Sequence, residues 1–189
     1  MKERVSFPIF FVLAFFAGLL SYQEDIPLEF SSLSVSGKTQ TSNTTISPNE
    51  FYHVVRVVDG DTIVVKINDK KEMVRLIGMN TPETVDPRKP VECFGKEAAE
   101  EAKKILTDRS VRLETDPSQD QRDRYGRLLA YVFLPDGTNF SRLMIETGYG
   151  YEYTYDLPYK YQTEFKQAEK DAKENDRGLW ARNVCGENF

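Results

Sequence analysis

The chain has 189 residues and a formal net charge of −5 at pH 7. This leaves room for one domain with accessory segments, and it excludes a protein that coats nucleic acid through positive charge alone. There is one histidine, His53, and there are two cysteines, Cys93 and Cys185. A Cys/His zinc site and the chemistry of a His-dependent nuclease or catalytic triad are therefore hard to assemble. Any hydrolysis must depend on carboxylates, arginines, tyrosines or a hard cation.

The N-terminal segment, residues 1–22, resembles a targeting sequence. It starts with the basic stretch MKER, continues with mostly apolar residues from Val5 to Leu20, and ends in small and polar residues. This order is typical of a secretory signal peptide. Because the apolar stretch is short for a membrane-spanning helix, an uncleaved N-terminal anchor is the alternative. Both interpretations predict that the rest of the chain works outside the cytoplasm, with membrane contact only through an uncleaved segment.

Residues 23–50 are rich in Ser, Thr and Asn and poor in aromatic residues. Such a segment has too little apolar surface to offset the entropy that is lost on ordering, so we expect a disordered linker. The composition changes at Phe51. We predict a folded domain over residues 51–182, followed by a tail over residues 183–189.

The stretch after Phe51 predicts a β-meander. The runs FYHVVRVV and TIVVKI are rich in β-branched residues and are joined by Asp59, Gly60 and Asp61, a strong tight-turn signal. A third run, MVRLIG, follows the polar turn NDKK. In an antiparallel meander, the start of the second strand and the end of the third strand lie side by side.

Two more strands and three helices follow. The further strands are the short stretches VRLE and RLLAYVFL, and the helices have apolar residues at helical spacing. The predicted strands cover 111–114 and 127–134, and the predicted helices cover 94–107, 139–147 and the stretch from Tyr161 to DRGLW. Gly148 and Gly178 are predicted to cap the second and third helices. The pattern predicts an α+β fold, a closed five-stranded β-barrel of the OB-fold type with three helices.

Three oxygen donors are predicted to meet at one end of this barrel. Asp61 starts the second strand, and Asn80 and the carbonyl group of Thr81 follow the third. Such oxygens are ligands of hard cations and suit calcium better than zinc. Glu83, directed by Pro82, is placed to hold a water molecule and accept its proton. The alternative for Asp61 is a turn residue without further function.

Two arginines are candidates for binding a phosphate. Arg75 lies within the third strand, and Arg127 starts the fifth strand just after Arg124 and Tyr125. A guanidinium group can donate two hydrogen bonds to one phosphate and stabilise the charge that develops as water attacks. We interpret Arg75 as tolerated in the strand because a phosphate completes its hydrogen bonding. A side chain that faces solvent is the alternative.

The motifs VVDGDTIVV, VRLIGMNTPET and DRYGRLLAYVF, in this order and at these separations, closely resemble the staphylococcal nuclease family. The resemblance covers roughly Phe51 to Trp180. It implies a secreted, calcium-dependent nuclease on an OB barrel with three helices. It also implies hydrolysis of phosphodiester bonds in DNA and RNA that leaves 3′-phosphate ends.

The roles implied by the resemblance carry over position by position. The implied catalytic residues are the phosphate-binding arginines and the general base: Arg75, Arg127 and Glu83. The implied metal ligands are Asp61, Asn80 and the carbonyl oxygen of Thr81. The resemblance places Tyr125 beside the terminal phosphate, and Arg124, Tyr153 and Tyr155 are further candidates for binding the substrate. One position departs from the family: the best-known member has aspartate where this chain has Asn80, and the lost negative charge predicts weaker calcium binding.

The run GYGYEYTYDLPYKY places tyrosines at alternate positions, namely Tyr149, Tyr151, Tyr153 and Tyr155. In an extended strand they share one face, where some of them are expected to stack on bases. Packing against the barrel or the last helix is the alternative. The resemblance implies a base-contacting tyrosine in this region, for which Tyr153 and Tyr155 are the candidates.

The two cysteines flank the helical part of the domain. Cys93 precedes the first predicted helix, and Cys185 follows the last. In an oxidising compartment two such residues often form a disulfide, which here would tie the tail to the domain. Two unpaired thiols are the alternative.

The main competing function is a non-catalytic OB module that binds nucleic acid or a protein partner, because such barrels have many functions. An eroded copy of a nuclease would be expected to lack Glu83 or one of the arginines. This chain retains Asp61, Arg75, Glu83 and Arg127. We therefore expect a monomeric nuclease that acts on DNA and RNA and needs no stable protein partner.

Overall fold

The computed structural model describes residues 45–84 and 90–185. The predicted segment 1–22, the predicted linker up to residue 44 and residues 186–189 of the tail lie outside the described residues. Among the described residues, Ile46 already packs against the core, ahead of the predicted boundary at Phe51. Across the two described ranges, no helix combines the length and the apolar character that crossing a membrane requires.

Five strands close into a barrel in the order β1-β2-β3-β6-β5. In chain order, the strands are β1 (Phe51–Asp59), β2 (Thr62–Ile67), β3 (Lys70–Leu76), β4 (Met79–Asn80), β5 (Ser110–Glu114), β6 (Leu128–Phe133) and β7 (Tyr151–Glu152). β1, β2 and β3 form the predicted antiparallel meander, β3 and β6 run parallel, and β5 pairs with β6 and β1. The predicted five-stranded OB-type barrel is confirmed. β4 and β7, which were not predicted, pair with each other outside the barrel.

Three helices accompany the barrel, as predicted. They are α1 (Gly95–Leu106), α2 (Phe140–Glu146) and α3 (Gln162–Glu174), and a short 3-10 helix over Gly178–Trp180 follows them. In α1, Ala98, Ala102 and Leu106 recur at four-residue spacing and are fully buried. This apolar stripe packs the helix against the barrel, since residues four apart share one helix face.

The two glycines predicted as helix caps differ in the structure. Gly148 follows α2 with a left-handed backbone, at a φ of 78°, as a cap requires. The prediction for Gly178 is wrong, because α3 ends at Glu174. Gly178 instead allows two backbone segments to touch: a Cβ atom there would lie 2.2 Å from the Gly148 carbonyl oxygen. The Leu179 N–H donates to that same oxygen at 2.9 Å.

Candidate active site

A cleft of about 1070 Å³ lies where the β1–β2 turn, the segment after β3 and the loop before β6 meet. These three parts of the chain carry the three motifs singled out in the sequence. The predicted metal, catalytic and substrate-binding residues all line this cleft: Asp61, Arg75, Asn80, Thr81, Glu83, Arg124, Tyr125, Arg127, Tyr153 and Tyr155. The fold therefore brings together side chains that are far apart in the sequence.

Asp61 is fixed beside the segment that follows β3. The Leu76 N–H donates to the Asp61 carbonyl oxygen at 3.0 Å, and the Thr81 N–H donates to Asp61 Oδ2 at 3.3 Å. Gly60 makes this approach possible, because a Cβ atom there would lie 2.6 Å from Thr81 Cγ2. The two strand ends are thus adjacent, as the meander predicts.

Arg75 has partners within the protein, which corrects our interpretation of its place in the strand. Its Nη2 donates to Asn80 Oδ1 at 2.8 Å and lies 3.2 Å from Asp61 Oδ2. Its Nη1 donates to the carbonyl oxygens of Met79 at 2.7 Å and Leu76 at 2.9 Å. A buried guanidinium group is tolerated when its charge and donors are satisfied. The carboxylate of Asp61 and the neighbouring carbonyl groups do this without a phosphate.

The side chain of Asn80 is oriented from two sides. Its Oδ1 accepts from Arg75, and its Nδ2 donates to the hydroxyl oxygen of Tyr151. Asn80 and Tyr151 are also paired with each other in the short β4–β7 sheet. Burial raises the pKa of the Tyr151 hydroxyl group above its ordinary value. Sequence reasoning did not single out Tyr151, whose only signal was its place among the alternating tyrosines.

Negative charge is concentrated at this end of the barrel. Asp59, which the sequence indicated only as a turn residue, is 5% exposed and accepts hydrogen bonds from the Gly60 N–H and the Thr84 hydroxyl group. Burial raises the pKa of the Asp59 carboxyl group, and the charges of Asp61 and Glu83 raise it further. A cation placed among these carboxylates would offset their repulsion.

The donors present fit a divalent cation. Asp61 offers a carboxylate, Asn80 an amide oxygen and Thr81 a backbone carbonyl oxygen, which are the oxygen types that hard cations prefer. The buried hydroxyl oxygen of Thr81 has no hydrogen-bond partner among the described residues, so this oxygen is available for a further polar interaction. In residues 45–84 and 90–185, no group of three His, Cys, Asp or Glu side chains is arranged to hold a metal.

Arg127 is directed into the cleft by a residue that sequence reasoning missed. Its Nε donates to Asp123 Oδ2 at 2.6 Å, and Asp123 Oδ1 accepts from the N–H groups of Tyr125 and Arg127, each at 2.9 Å. Nη1 of Arg127 lies 3.5 Å from the hydroxyl oxygen of Thr62, which itself donates to Asp61 Oδ1. Asp123 therefore fixes both the loop and the direction of the guanidinium group. Its signal in the sequence was its position before Gly126 in DRYGR.

The sequence of this chain is similar to those of known proteins. The family model described as staphylococcal nuclease homologue matches residues 73–182. The thermonuclease of Staphylococcus hyicus is 38% identical over 156 residues, covering 82% of this chain and 90% of the relative. The thermonuclease of Staphylococcus intermedius is 40% identical over 157 residues, covering 83% and 91%. The chain belongs to the staphylococcal nuclease family.

Family membership confirms the enzyme class predicted from the motifs, a nuclease that hydrolyses phosphodiester bonds. A further relative, endonuclease YncB of Bacillus subtilis, is 36% identical over 129 residues, covering 68% of this chain and 60% of the relative. The substrates of the family are nucleic acids, and the family depends on a metal ion. The roles of individual residues in this chain remain predictions.

Exposed tyrosines form one edge of the cleft. Tyr125, Tyr153 and Tyr155 are 66%, 42% and 72% exposed, and the rings of Tyr153 and Tyr155 lie 6.4 Å apart. Tyr149 departs from the expected shared face, because its ring packs on Phe94 at 5.4 Å and does not line the cleft. Exposed aromatic rings at the mouth of a cleft suit stacking on bases.

Arg124 contacts its neighbour Tyr125, and the two cysteines are bonded to each other. The Nη2 of Arg124 donates to the Tyr125 hydroxyl group at 2.7 Å, and its guanidinium group lies over the Tyr125 ring. Cys93 and Cys185 form a disulfide bond, with their Cα atoms 5.6 Å apart. The bond joins the segment before α1 to the C-terminal segment.

Proposed function

We propose that this nuclease is calcium-dependent and secreted, and that it hydrolyses phosphodiester bonds of both DNA and RNA. Water attacks the phosphorus atom, the bond from phosphorus to the 5′ oxygen breaks, and the products carry a 3′-phosphate and a 5′-hydroxyl group. The observation that carries the proposal is the convergence on one cleft of Asp61, Glu83, Arg75 and Arg127.

Asp61, Asn80 and Thr81 would hold the calcium ion, which when bound supplies positive charge next to the phosphate and offsets the carboxylates around it. The 2.8 Å contact between Arg75 Nη2 and Asn80 Oδ1 orients the amide oxygen, while the 3.2 Å contact with Asp61 Oδ2 orients the carboxylate. These contacts support a role for Arg75 in arranging the donors and adding positive charge.

Arg127 is the arginine best placed to bind the phosphate through hydrogen bonds. Because Asp123 engages its Nε, the terminal nitrogens are directed to the cleft, where they can donate to two phosphate oxygens. Glu83 accepts a proton from the attacking water as the new P–O bond forms. The 5′ oxygen takes a proton from solvent as it leaves, and Glu83 then returns its proton to solvent, so the step balances.

Secretion is supported by two features. The N-terminal pattern is typical of a signal peptide, and the disulfide between Cys93 and Cys185 is of the kind that persists in oxidising compartments. An uncleaved segment would leave the enzyme at the membrane surface and would not change the chemistry of the cleft.

The test is to incubate the full chain with single-stranded DNA and RNA of defined sequence, with calcium and then with excess chelator. We expect cleavage with calcium, loss of cleavage with chelator, and products whose electrophoretic mobility changes on phosphatase treatment because they end in a 3′-phosphate. Mass spectrometry of the products checks the end groups directly.

Two results would contradict the proposal. Cleavage at full rate in chelator would remove the calcium requirement. Tight binding without cleavage at any calcium concentration would favour the non-catalytic OB module. Glu83→Gln serves as the control for contaminating nucleases, because contaminant activity would not respond to the substitution.

A further inference from the structure

Glu83 is tied to a residue that no motif singled out. The Glu83 N–H donates to Glu92 Oε2 at 2.9 Å, and the Glu92 N–H donates to the Glu83 carbonyl oxygen at 2.9 Å. This reciprocal pair fixes the backbone on which the Glu83 side chain is carried. A side chain is held in position towards a reacting atom only when its backbone is fixed. Small displacements of a catalytic group lower the rate.

Glu92 is itself held by the start of α1. The Gly95 N–H donates to the Glu92 carbonyl oxygen at 3.1 Å. Gly95 also lies against the segment that carries Glu83, because a Cβ atom there would come within 2.6 Å of Thr84 Cγ2 and 2.9 Å of the Pro82 carbonyl oxygen. The first turn of α1 thus forms a support for Glu83.

The disulfide fixes this support to a second anchored segment. Cys93 is adjacent to Glu92 in the chain and is bonded to Cys185, 92 positions later. Two contacts hold the C-terminal segment. The Leu179 N–H donates to the Gly148 carbonyl oxygen, and the Lys173 ammonium nitrogen lies over the Trp180 ring, 4.2 Å from its centroid. Cys93 is exposed, so a reductant in solution can reach the bond.

We propose that Glu92 is a positioning residue for Glu83 and that the Cys93–Cys185 disulfide holds Glu92 in place, so that reduction of this bond slows cleavage. The proposal rests on the proposed function, in which Glu83 accepts the proton of the attacking water. Reduction by dithiothreitol is a two-electron step. The S–S bond breaks, Cys93 and Cys185 each gain a hydrogen as thiols, and the reagent is oxidised to its cyclic disulfide.

The test measures hydrogen exchange of the Glu83 amide by NMR, together with kcat and KM, on the full chain before and after reduction. We expect faster exchange after reduction and in Glu92→Ala, with kcat lowered about tenfold to a hundredfold and KM little changed. Glu92→Gln should retain most of both properties, because its amide oxygen can still accept from the Glu83 N–H. A purely structural role for Glu92 would lower the melting temperature without this division between kcat and KM.

The matched control is the Cys93→Ser/Cys185→Ser double variant. It should match the reduced protein in exchange and in kcat, and it should not respond to dithiothreitol, which separates loss of the bond from any other effect of the reagent. Reduction titrations on the wild-type chain give the same comparison if Glu92→Ala does not fold.

The outcomes separate this proposal from the proposed function. Glu83 exchange that is unchanged both by reduction and by Glu92→Ala overturns the positioning role, whatever the activity. Faster exchange with unchanged kcat overturns it as well. If the oxidised wild-type chain does not cleave nucleic acid, the proposed function fails, and the exchange data alone then decide whether Glu92 and the disulfide hold Glu83.

Discussion

Asp61 and Asp116 are two buried aspartates of the same domain, and their surroundings differ in kind. They are 8% and 6% exposed, respectively. Asp116 accepts from the N–H and hydroxyl groups of Ser118, from the Tyr131 hydroxyl group at 2.6 Å and from the Lys160 N–H at 2.8 Å. Burial alone would raise the pKa of Asp116, but these hydrogen bonds outweigh it and lower the pKa below its ordinary value.

Asp61 accepts from the Thr62 hydroxyl group and the Thr81 N–H, but it also has a charged partner and a charged neighbour. It pairs with Arg75, and its charge, like that of Glu83, adds to burial in raising the pKa of Asp59. A carboxylate that is satisfied by neutral donors of its own domain contributes to stability. A carboxylate that lines a cleft beside other negative charges is better suited to holding a cation. The comparison predicts that substitutions in the two regions will affect different properties.

The largest expected effect is on activity, in Glu83→Gln and Arg127→Ala. Removal of a positioned general base lowers kcat by about 10²–10⁴, and removal of a phosphate-binding donor lowers it by about 10²–10³. Neither residue holds the core together, so the melting temperature should change little. Steady-state kinetics on single-stranded DNA with calcium and a thermal melt of each variant check both statements. Wild-type rates in these two variants would contradict the catalytic roles proposed for Glu83 and Arg127.

Asp116→Asn should show the opposite pattern. Its amide group cannot accept every hydrogen bond that the carboxylate accepts, and hydrogen bonds to charged groups contribute about 1.5–3 kcal/mol. We expect a loss of that size in the free energy of unfolding, measured by urea denaturation, with kcat per folded molecule near the wild-type value. A large fall in kcat at conserved stability would assign Asp116 to the functional region.

The dependence of stability on pH gives a second test of the stabilising role of Asp116. The pKa of Asp116 is lower in the folded protein than its ordinary value of 3.8. Its contribution to stability is therefore fully present above that ordinary value and is lost as the pH falls through the folded value. Denaturation curves between about pH 5 and pH 2.5 should show a steeper acid loss for the wild type than for Asp116→Asn. Equal slopes would contradict this role.

The smallest effect concerns Asn80→Asp. The substitution adds one negative charge to the donor set, and the Tyr151 hydroxyl group can turn to donate to the new carboxylate. We expect calcium to bind more tightly, on the order of tenfold, because affinity in such sites follows ligand charge. Calorimetric titration of both proteins measures the change, and an unchanged dissociation constant would remove the idea that Asn80 weakens the site.

The barrel was predictable from the sequence because its determinants are local. The β-branched runs, the Asp59-Gly60-Asp61 turn and the apolar spacing of α1 each specify one element. Adjacent strands of a meander then bring Asp61 next to Asn80. The short β4–β7 sheet has no such pattern, because two-residue strands carry no periodicity, and its existence depends on the tertiary contact between Asn80 and Tyr151.

The partners of the site residues were less predictable than the site residues themselves. Arg75 was singled out and lines the cleft, but its interactions with Asp61 and the Met79 carbonyl group depend on how the chain turns after β3. Asp123 and Glu92 act through hydrogen bonds to the backbone, and such contacts leave no sequence pattern. They become visible only once the backbone conformation is known.

Calorimetric titration of Asp61→Asn with calcium, beside the wild type and Asp116→Asn, tests whether the ion binds at this end of the barrel. We predict one calcium site in the wild type, the same site in Asp116→Asn below its melting temperature, and no measurable binding in Asp61→Asn. Binding to Asp61→Asn with wild-type affinity would contradict the assignment of the ion to this end of the barrel.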